Sequence, residues 1–85
     1  MTLGDRLREY TARRVHVSDI KEPLVKAMWW RRYEKQQEAI VSDCRVAPSE
    51  YSSEMELAEV EANHAHTRRA FILSSEWETR KLRNG

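Results

Sequence analysis

The sequence predicts an all-α protein in which three helices form a mostly antiparallel bundle and the last helix is the longest. Only two glycines and two prolines occur among 85 residues, which is fewer than the turns of a sheet-rich fold of this length usually need. Apolar residues recur at helical spacing, and capping signals precede the uninterrupted segments. With 40% hydrophobic and 34% charged residues, the chain can build a single domain, residues 1–85, around one modest core.

The first helix is expected over about residues 3–14. Thr2 and Asp5 stand in the spacing of a capping box, with Asp in the usual Glu position. Leu3, Leu7 and Tyr10 then follow at i, i+4 and i+7, which places them on one helix face. Residues 15–18 alternate apolar and polar, but no other segment could pair with them as a strand, so they are interpreted as a connector.

The second helix is expected over about residues 20–42, with Asp19 and Glu22 as its cap and Pro23 in its first turn. Its apolar side chains cover a sector of more than about 200°, whereas one packed interface needs little more than about 100°. The only plainly solvent-facing sector contains Arg31, Glu34, Lys35 and Glu38. This helix is therefore predicted to have neighbours on more than one side.

Two arrangements explain the wide apolar face. In one, the second helix is the centre of a bundle and packs against a helix on each side. In the other, one side packs internally, while the side centred on Trp30, Val41 and Tyr33 meets another protein or a second copy of the chain. Adjacent tryptophans point about 100° apart, so they cannot share one small pocket. Because the first helix is short, Trp30 more than Trp29 is predicted to lie near the surface or in an interface.

The third helix is expected over about residues 50–82, after a loop held by Pro48. Ser53 and Glu56 have capping-box spacing, and Asn84–Gly85 is a stop signal. At about 45 Å it would be longer than either neighbour. Part of it should therefore project from the bundle, unless it breaks near residues 63–64 or 74–75.

The charge on the third helix is polarised. Residues 50–61 contain five glutamates and no basic residue, and the basic residues of the second half are Arg68, Arg69, Arg80, Lys81 and Arg83. Acidic residues near the start of a helix and basic residues near its end interact favourably with the helix dipole. Stabilisation of the helix is therefore one explanation of the charge pattern. The other is an acidic patch, including Glu54 and Glu59, that a basic partner would bind.

No residue pattern predicts catalysis, a cofactor or a metal site. His64 and His66 are two residues apart, which separates them by about 200° on a helix and prevents joint metal ligation. Cys44 is the only cysteine and has no local signature of a nucleophile, so a reducing cytoplasmic setting is expected. The first residues lack the apolar core of a signal peptide, and no apolar run is long enough to span a membrane.

The expected function is therefore non-enzymatic binding of another protein, as an inhibitor, adaptor or regulator. Small helical proteins rich in Arg and Trp are of the kind that bacteriophages and mobile elements use to redirect host enzymes, which would place this one in the host cytoplasm. One alternative is a nucleic-acid-binding regulator that uses its Arg- and Trp-rich helices, including the arginines at residues 6, 8, 13 and 14. Another is a purely structural homo-oligomer, with a homodimer the simplest case. The residues expected to contact a partner are Trp29, Trp30, Arg31, Arg32, Tyr33, Val41, Glu54, Glu59, Phe71 and Trp77.

Overall fold

The computed structural model describes residues 1–84, and the side chains of residues 1–82. Helix α1 spans Leu3–Ala12, a single 3-10 turn follows at Val17–Asp19, α2 spans Pro23–Cys44 and α3 spans Ser52–Asn84. The described part of the chain contains no strand, so the predicted all-α fold is confirmed. The helix ends fall within about three residues of their predicted positions, the usual margin at helix ends.

Helix α1 begins at the predicted capping box. The backbone N–H of Asp5 donates to Thr2 Oγ1 at 3.1 Å, and the backbone N–H of Thr2 donates to Asp5 Oδ2 at 3.2 Å. The helix ends two residues earlier than predicted because Arg14 adopts a left-handed backbone with φ of 55°. The N–H of Val15 then bonds to the carbonyl of Tyr10 at 2.9 Å, a helix-ending turn in which arginine occupies the position that glycine usually takes.

The start of α2 differs from the prediction. Asp19 lies in the 3-10 turn, and Glu22 occupies the N-cap position without a side-chain capping bond. The predicted Asp19–Glu22 cap is therefore wrong, because the Glu22 carboxylate binds Arg6 of α1 instead, at 2.8 Å. Pro23 is the first helical residue, as expected for a residue without a backbone N–H.

Helices α2 and α3 form a closely packed antiparallel hairpin. The buried residues along this pair are mostly small, namely Ala27, Val41, Cys44, Ala58 and Ala65. Small side chains at an interface let two helix backbones approach closely. Helix α1 packs on the first half of α2 around Leu7, Ile20 and Val25. Helix α2 therefore has a neighbour on each of two sides, which accounts structurally for much of its wide apolar face.

Helix α3 is continuous across both positions where a break was considered. Its 33 residues give a length of about 50 Å, against about 33 Å for the 22 residues of α2. The capping box predicted at Ser53 is wrong, because α3 begins at Ser52 and Ser53 lies in its first turn. The helix reaches Asn84, and Gly85 of the predicted stop signal lies outside the described residues.

Candidate protein-binding site

Three aromatic residues of α2 form one cluster. The ring of Trp29 stacks on that of Tyr33, with centroids 5.4 Å apart and planes 10° apart. Trp30 meets both rings edge to face, at 5.0 and 5.9 Å. Both tryptophans are half-buried, so exposure alone does not separate them as the sequence predicts. Their surroundings differ, because Trp29 packs on the core and lines a groove of about 130 Å³ beside α1, whereas Trp30 lines a groove of about 450 Å³ beside α3.

This groove, called the Trp30 groove below, has a volume of about 450 Å³ and lies between the 3-10 turn, α2 and α3. Its apolar residues are Val17, Trp30, Phe71 and Ile72, and its polar residues are His16, Ser18, Lys26, His64 and Arg68. The His64 ring contacts the Trp30 ring edge to face at 5.6 Å. Phe71 is 71% exposed, so the groove combines a half-buried indole with an aromatic ring that is largely free.

The charged residues that line the Trp30 groove are basic, whereas an adjoining groove that shares Lys26 and Phe71 also contains Glu76. Lys26 and Arg68 are cationic, and no carboxylate of the described residues lines the groove. Among the described residues, neither Lys26 nor Arg68 forms an ion pair with an acidic side chain. Because the whole chain has a formal net charge of only +1, this groove is a local concentration of positive charge.

A second set of exposed apolar residues lies on the outer face of α3. Leu57 and Val60 are 63% and 57% exposed, and their spacing to Phe71 puts all three on one face. Trp77 is 68% exposed, but six residues separate it from Phe71, which turns it about 120° away. Phe71 and Trp77, both predicted to contact a partner, therefore do not share a surface.

Val41 does not lie on an outward side of α2. It is 8% exposed and packs between α2 and α3, so its predicted place on a free face is wrong. Ala27, Glu34 and Val41 are each seven residues apart and point to α3 together. The sequence pattern did not indicate this side of α2, because the side chain of Ala27 is small and Glu34 is charged.

Glu34 was predicted to face solvent, and this prediction is also wrong. Its side chain is 13% exposed and forms an ion pair with Arg69 of α3 at 2.8 Å, while His66 Nδ1 lies 3.4 Å away. Nearby, the hydroxyl of Tyr33 donates to Glu61 Oε2 at 2.9 Å. This hydrogen bond, together with burial, raises the pKa of Tyr33. These polar contacts fix the register of the hairpin.

The remaining predicted residues are dispersed. Arg31 and Arg32 are exposed on α2, and Arg32 lines a small groove with Thr11 of α1. Glu54 and Glu59 are exposed, and Glu59 lies beside the last turns of α2. The acidic start of α3 and the Trp30 groove therefore occupy different parts of the hairpin.

Sequence reasoning missed the basic residues of the groove. In the hairpin Trp30 lies opposite His64 and Tyr33 lies opposite Glu61, and the residue numbers of these two pairs have the same sum. The same sum places Lys26 opposite Arg68, and both line the groove. These cations are brought together by the register of the hairpin, which no local sequence pattern specifies.

The described residues contain no cluster of three or more His, Cys, Asp or Glu side chains that could hold a metal ion. Cys44 is buried. None of the described helices combines the length and the apolar character needed to cross a membrane. Comparisons with known protein families, curated proteins and solved structures found no match to this chain.

Proposed function

We propose that this protein acts without catalysis, by binding another protein in the Trp30 groove. The observation that carries the proposal is the exposed ring of Phe71 beside Trp30, within a groove whose charged residues are all basic. Aromatic side chains flanked by Arg are typical of the positions that dominate binding energy in protein interfaces. On this proposal the protein is an inhibitor, adaptor or regulator in the cytoplasm, acting on a host enzyme if a phage or mobile element encodes it.

The chemistry of the groove defines the partner segment. Its floor suits apolar side chains that repeat every three or four residues, as on one face of a helix. Lys26 and Arg68 suit Asp or Glu beside those apolar residues, because opposite charges at the rim steer and orient the partner. The proposed ligand is therefore an amphipathic helix with an acidic border.

A nucleic acid fits these observations less well. Trp30 is half-buried and already meets Tyr33 and His64 edge to face, so it has little free ring surface on which a base could stack. Arg6 and Arg8 of α1, and Arg13 directly after it, form ion pairs with acidic residues of this chain. The arginine-rich first helix therefore offers less free positive charge than its sequence indicates.

The test uses a fluorescently labelled peptide, an amphipathic helix with leucines on one face and glutamates beside them. We expect it to bind, and we expect Arg68→Glu to weaken binding at least about tenfold, which is about 1.4 kcal/mol. Arg31→Glu is the matched control, since Arg31 is exposed on α2 and does not line the groove. Fluorescence anisotropy measures both affinities, and circular dichroism checks that each variant keeps its helices.

Two results would overturn the proposal. One is equal binding of a peptide in which lysines replace the glutamates, since the basic groove would then play no part. The other is binding of a single-stranded oligonucleotide, lost steeply as salt rises, without binding of the acidic peptide. That second result would establish the nucleic-acid alternative.

A further inference from the structure

The outer face of α3 carries two complementary halves. The first half presents Leu57 and Val60, both more than half exposed, next to the acidic residues Glu54 and Glu56. The second half presents Phe71 and Arg68, which belong to the Trp30 groove. The first half is thus an amphipathic helix with an acidic border, which is the ligand that the groove chemistry requires.

Geometry prevents α3 from satisfying this complementarity within one molecule. The helix is continuous from Ser52 to Asn84, so its first half cannot fold back onto its second half. A second copy can supply the missing half. In an antiparallel pair of α3 helices, Leu57 and Val60 of each copy face Phe71 of the other, and the acidic first half of each lies along the second half of the other, where Arg68, Arg69, Arg80 and Lys81 outnumber Glu76 and Glu78.

Charge selects this direction over the parallel one. In a parallel pair, the glutamates of residues 50–61 would lie beside the same glutamates of the second copy, and Arg68 would lie beside Arg68. Like charges at neighbouring positions on paired helices destabilise the pair. Antiparallel pairing instead places the acidic residues 50–61 along residues 62–82, whose basic residues outnumber their acidic ones, and it does so twice because the arrangement has two-fold symmetry.

We propose that two copies of this chain associate antiparallel along α3, with the Leu57–Val60 segment of each copy in the Trp30 groove of the other. The inference rests on the proposed function for the location and chemistry of the groove. It adds that the protein can occupy its own binding site. Self-association and partner binding are then mutually exclusive, so dissociation of the dimer makes the groove available.

Light scattering after gel filtration tests the association. At tens of micromolar protein we expect the mass to be twice the chain mass of 10.1 kDa. The double variant Leu57→Ser/Val60→Ser should return to the single-chain mass. The control Leu73→Ser/Trp77→Ser removes two exposed apolar residues from a different side of α3 and should keep the doubled mass. A wild-type monomer, or equal loss of mass in both variants, overturns the inference.

Disulfide formation tests the direction of the helices. In a Cys44→Ala background, the variants Val60→Cys and Phe71→Cys are oxidised separately and as a mixture. Antiparallel pairing brings positions 60 and 71 of opposite copies together, so a crosslinked dimer should form in the mixture and in neither variant alone. Crosslinking of Val60→Cys with itself would show the parallel arrangement and overturn the inference.

The labelled acidic peptide separates this inference from the proposed function. Leu57 and Val60 do not line the groove, so the Leu57→Ser/Val60→Ser variant should bind the peptide at least as tightly as the wild type. If the wild type is monomeric and binds the peptide, the self-association inference fails and the proposed function stands. If the wild type is dimeric and neither protein binds the peptide, the proposed function fails.

Discussion

At the residue scale, the ion pair between Glu34 and Arg69 is the most enclosed charged contact between α2 and α3. Their side chains are 13% and 19% exposed, and the two charged atoms lie 2.8 Å apart. Removing one member of such a pair leaves the other charge with less solvent to stabilise it, which costs more than the loss of a surface pair. The pair therefore matters most for the register of the hairpin.

We expect Arg69→Ala to lower the free energy of unfolding by about 2 kcal/mol, because it leaves the Glu34 carboxylate enclosed and without its main counter-charge. Arg31→Ala, at an exposed position of α2 outside the Trp30 groove, should change it by less than about 0.5 kcal/mol. Chemical denaturation measures both values. Equal effects for the two variants would show that the Glu34–Arg69 pair adds no more than a surface charge does.

Tyr33 makes the second polar link in the hairpin, and its contribution depends on pH. The hydrogen bond to Glu61, and then burial, raise the pKa of Tyr33 in the folded protein above its ordinary value of 10.0. The protonated phenol is the form that donates to Glu61. The stabilisation is therefore fully present below pH 10 and is lost as pH rises through the higher pKa of the folded state.

Tyr33→Phe should lower the free energy of unfolding by about 1 kcal/mol at pH 7, since one hydrogen bond to a carboxylate is lost and little apolar contact changes. The difference between wild type and variant should shrink above pH 10, where the wild type loses the same bond. Urea unfolding at pH 7, 9 and 11 measures this convergence. A difference that stays constant with pH would contradict the assigned role of the hydroxyl.

At the element scale, α1 is held to the rest of the molecule by a small contact. Besides the cluster around Leu7, it relies on Arg6, whose guanidinium contacts both the Glu22 carboxylate and the Tyr10 hydroxyl. Tyr10 also donates to Glu22 at 3.2 Å. The hydrogen bond from Arg6 and then that from Tyr10 lower the pKa of Glu22, and the charge of Arg6 lowers it further.

As the pH is lowered, α1 should therefore detach from α2 before the α2–α3 hairpin unfolds. A lowered folded-state pKa means that the Glu22 contribution is present above the ordinary pKa of 4.5 and is lost as pH falls through the lower value. Glu22→Gln should have a similar effect at neutral pH, with amide hydrogens of α1 exchanging faster while those of α2 and α3 keep their protection. Glu9→Gln is the control, because it leaves the Arg6–Glu22 contact intact. Uniform loss of protection across all three helices would contradict separate release of α1.

Sequence patterns located the elements well and their contacts less well. The capping box at Thr2, the position of Pro23 and the absence of breakers after residue 52 are local signals, and each has a direct structural counterpart. The sequence did not show which side of α2 faces α3, because that side contains Ala27 and Glu34. An alanine and a glutamate look like surface residues until the partner helix supplies close packing and a counter-charge.

At the scale of the whole molecule, the width of the apolar face of α2 has two sources. Contacts with α1 on one side and α3 on the other use most of it. The rest, around Trp30, opens into the groove beside Phe71. The two arrangements that the sequence allowed are therefore compatible, since α2 is central in the fold and also contributes to a free surface. Only tertiary structure could show this, because Lys26 is on a different helix from His64 and Arg68 and far from them in the chain.

The unbroken course of α3 restricts how its length could vary. One helix carries both the alanines that pack on α2 and the exposed Leu57, Val60 and Phe71 on another side. A single inserted residue between Ala65 and Phe71 turns everything after it by about 100° and carries the ring of Phe71 away from Trp30. Insertion of seven residues, close to two full turns, nearly preserves the alignment of the two faces. Length changes compatible with both faces are thus confined to those close to a whole number of helical turns, such as seven or, with about three turns, eleven residues.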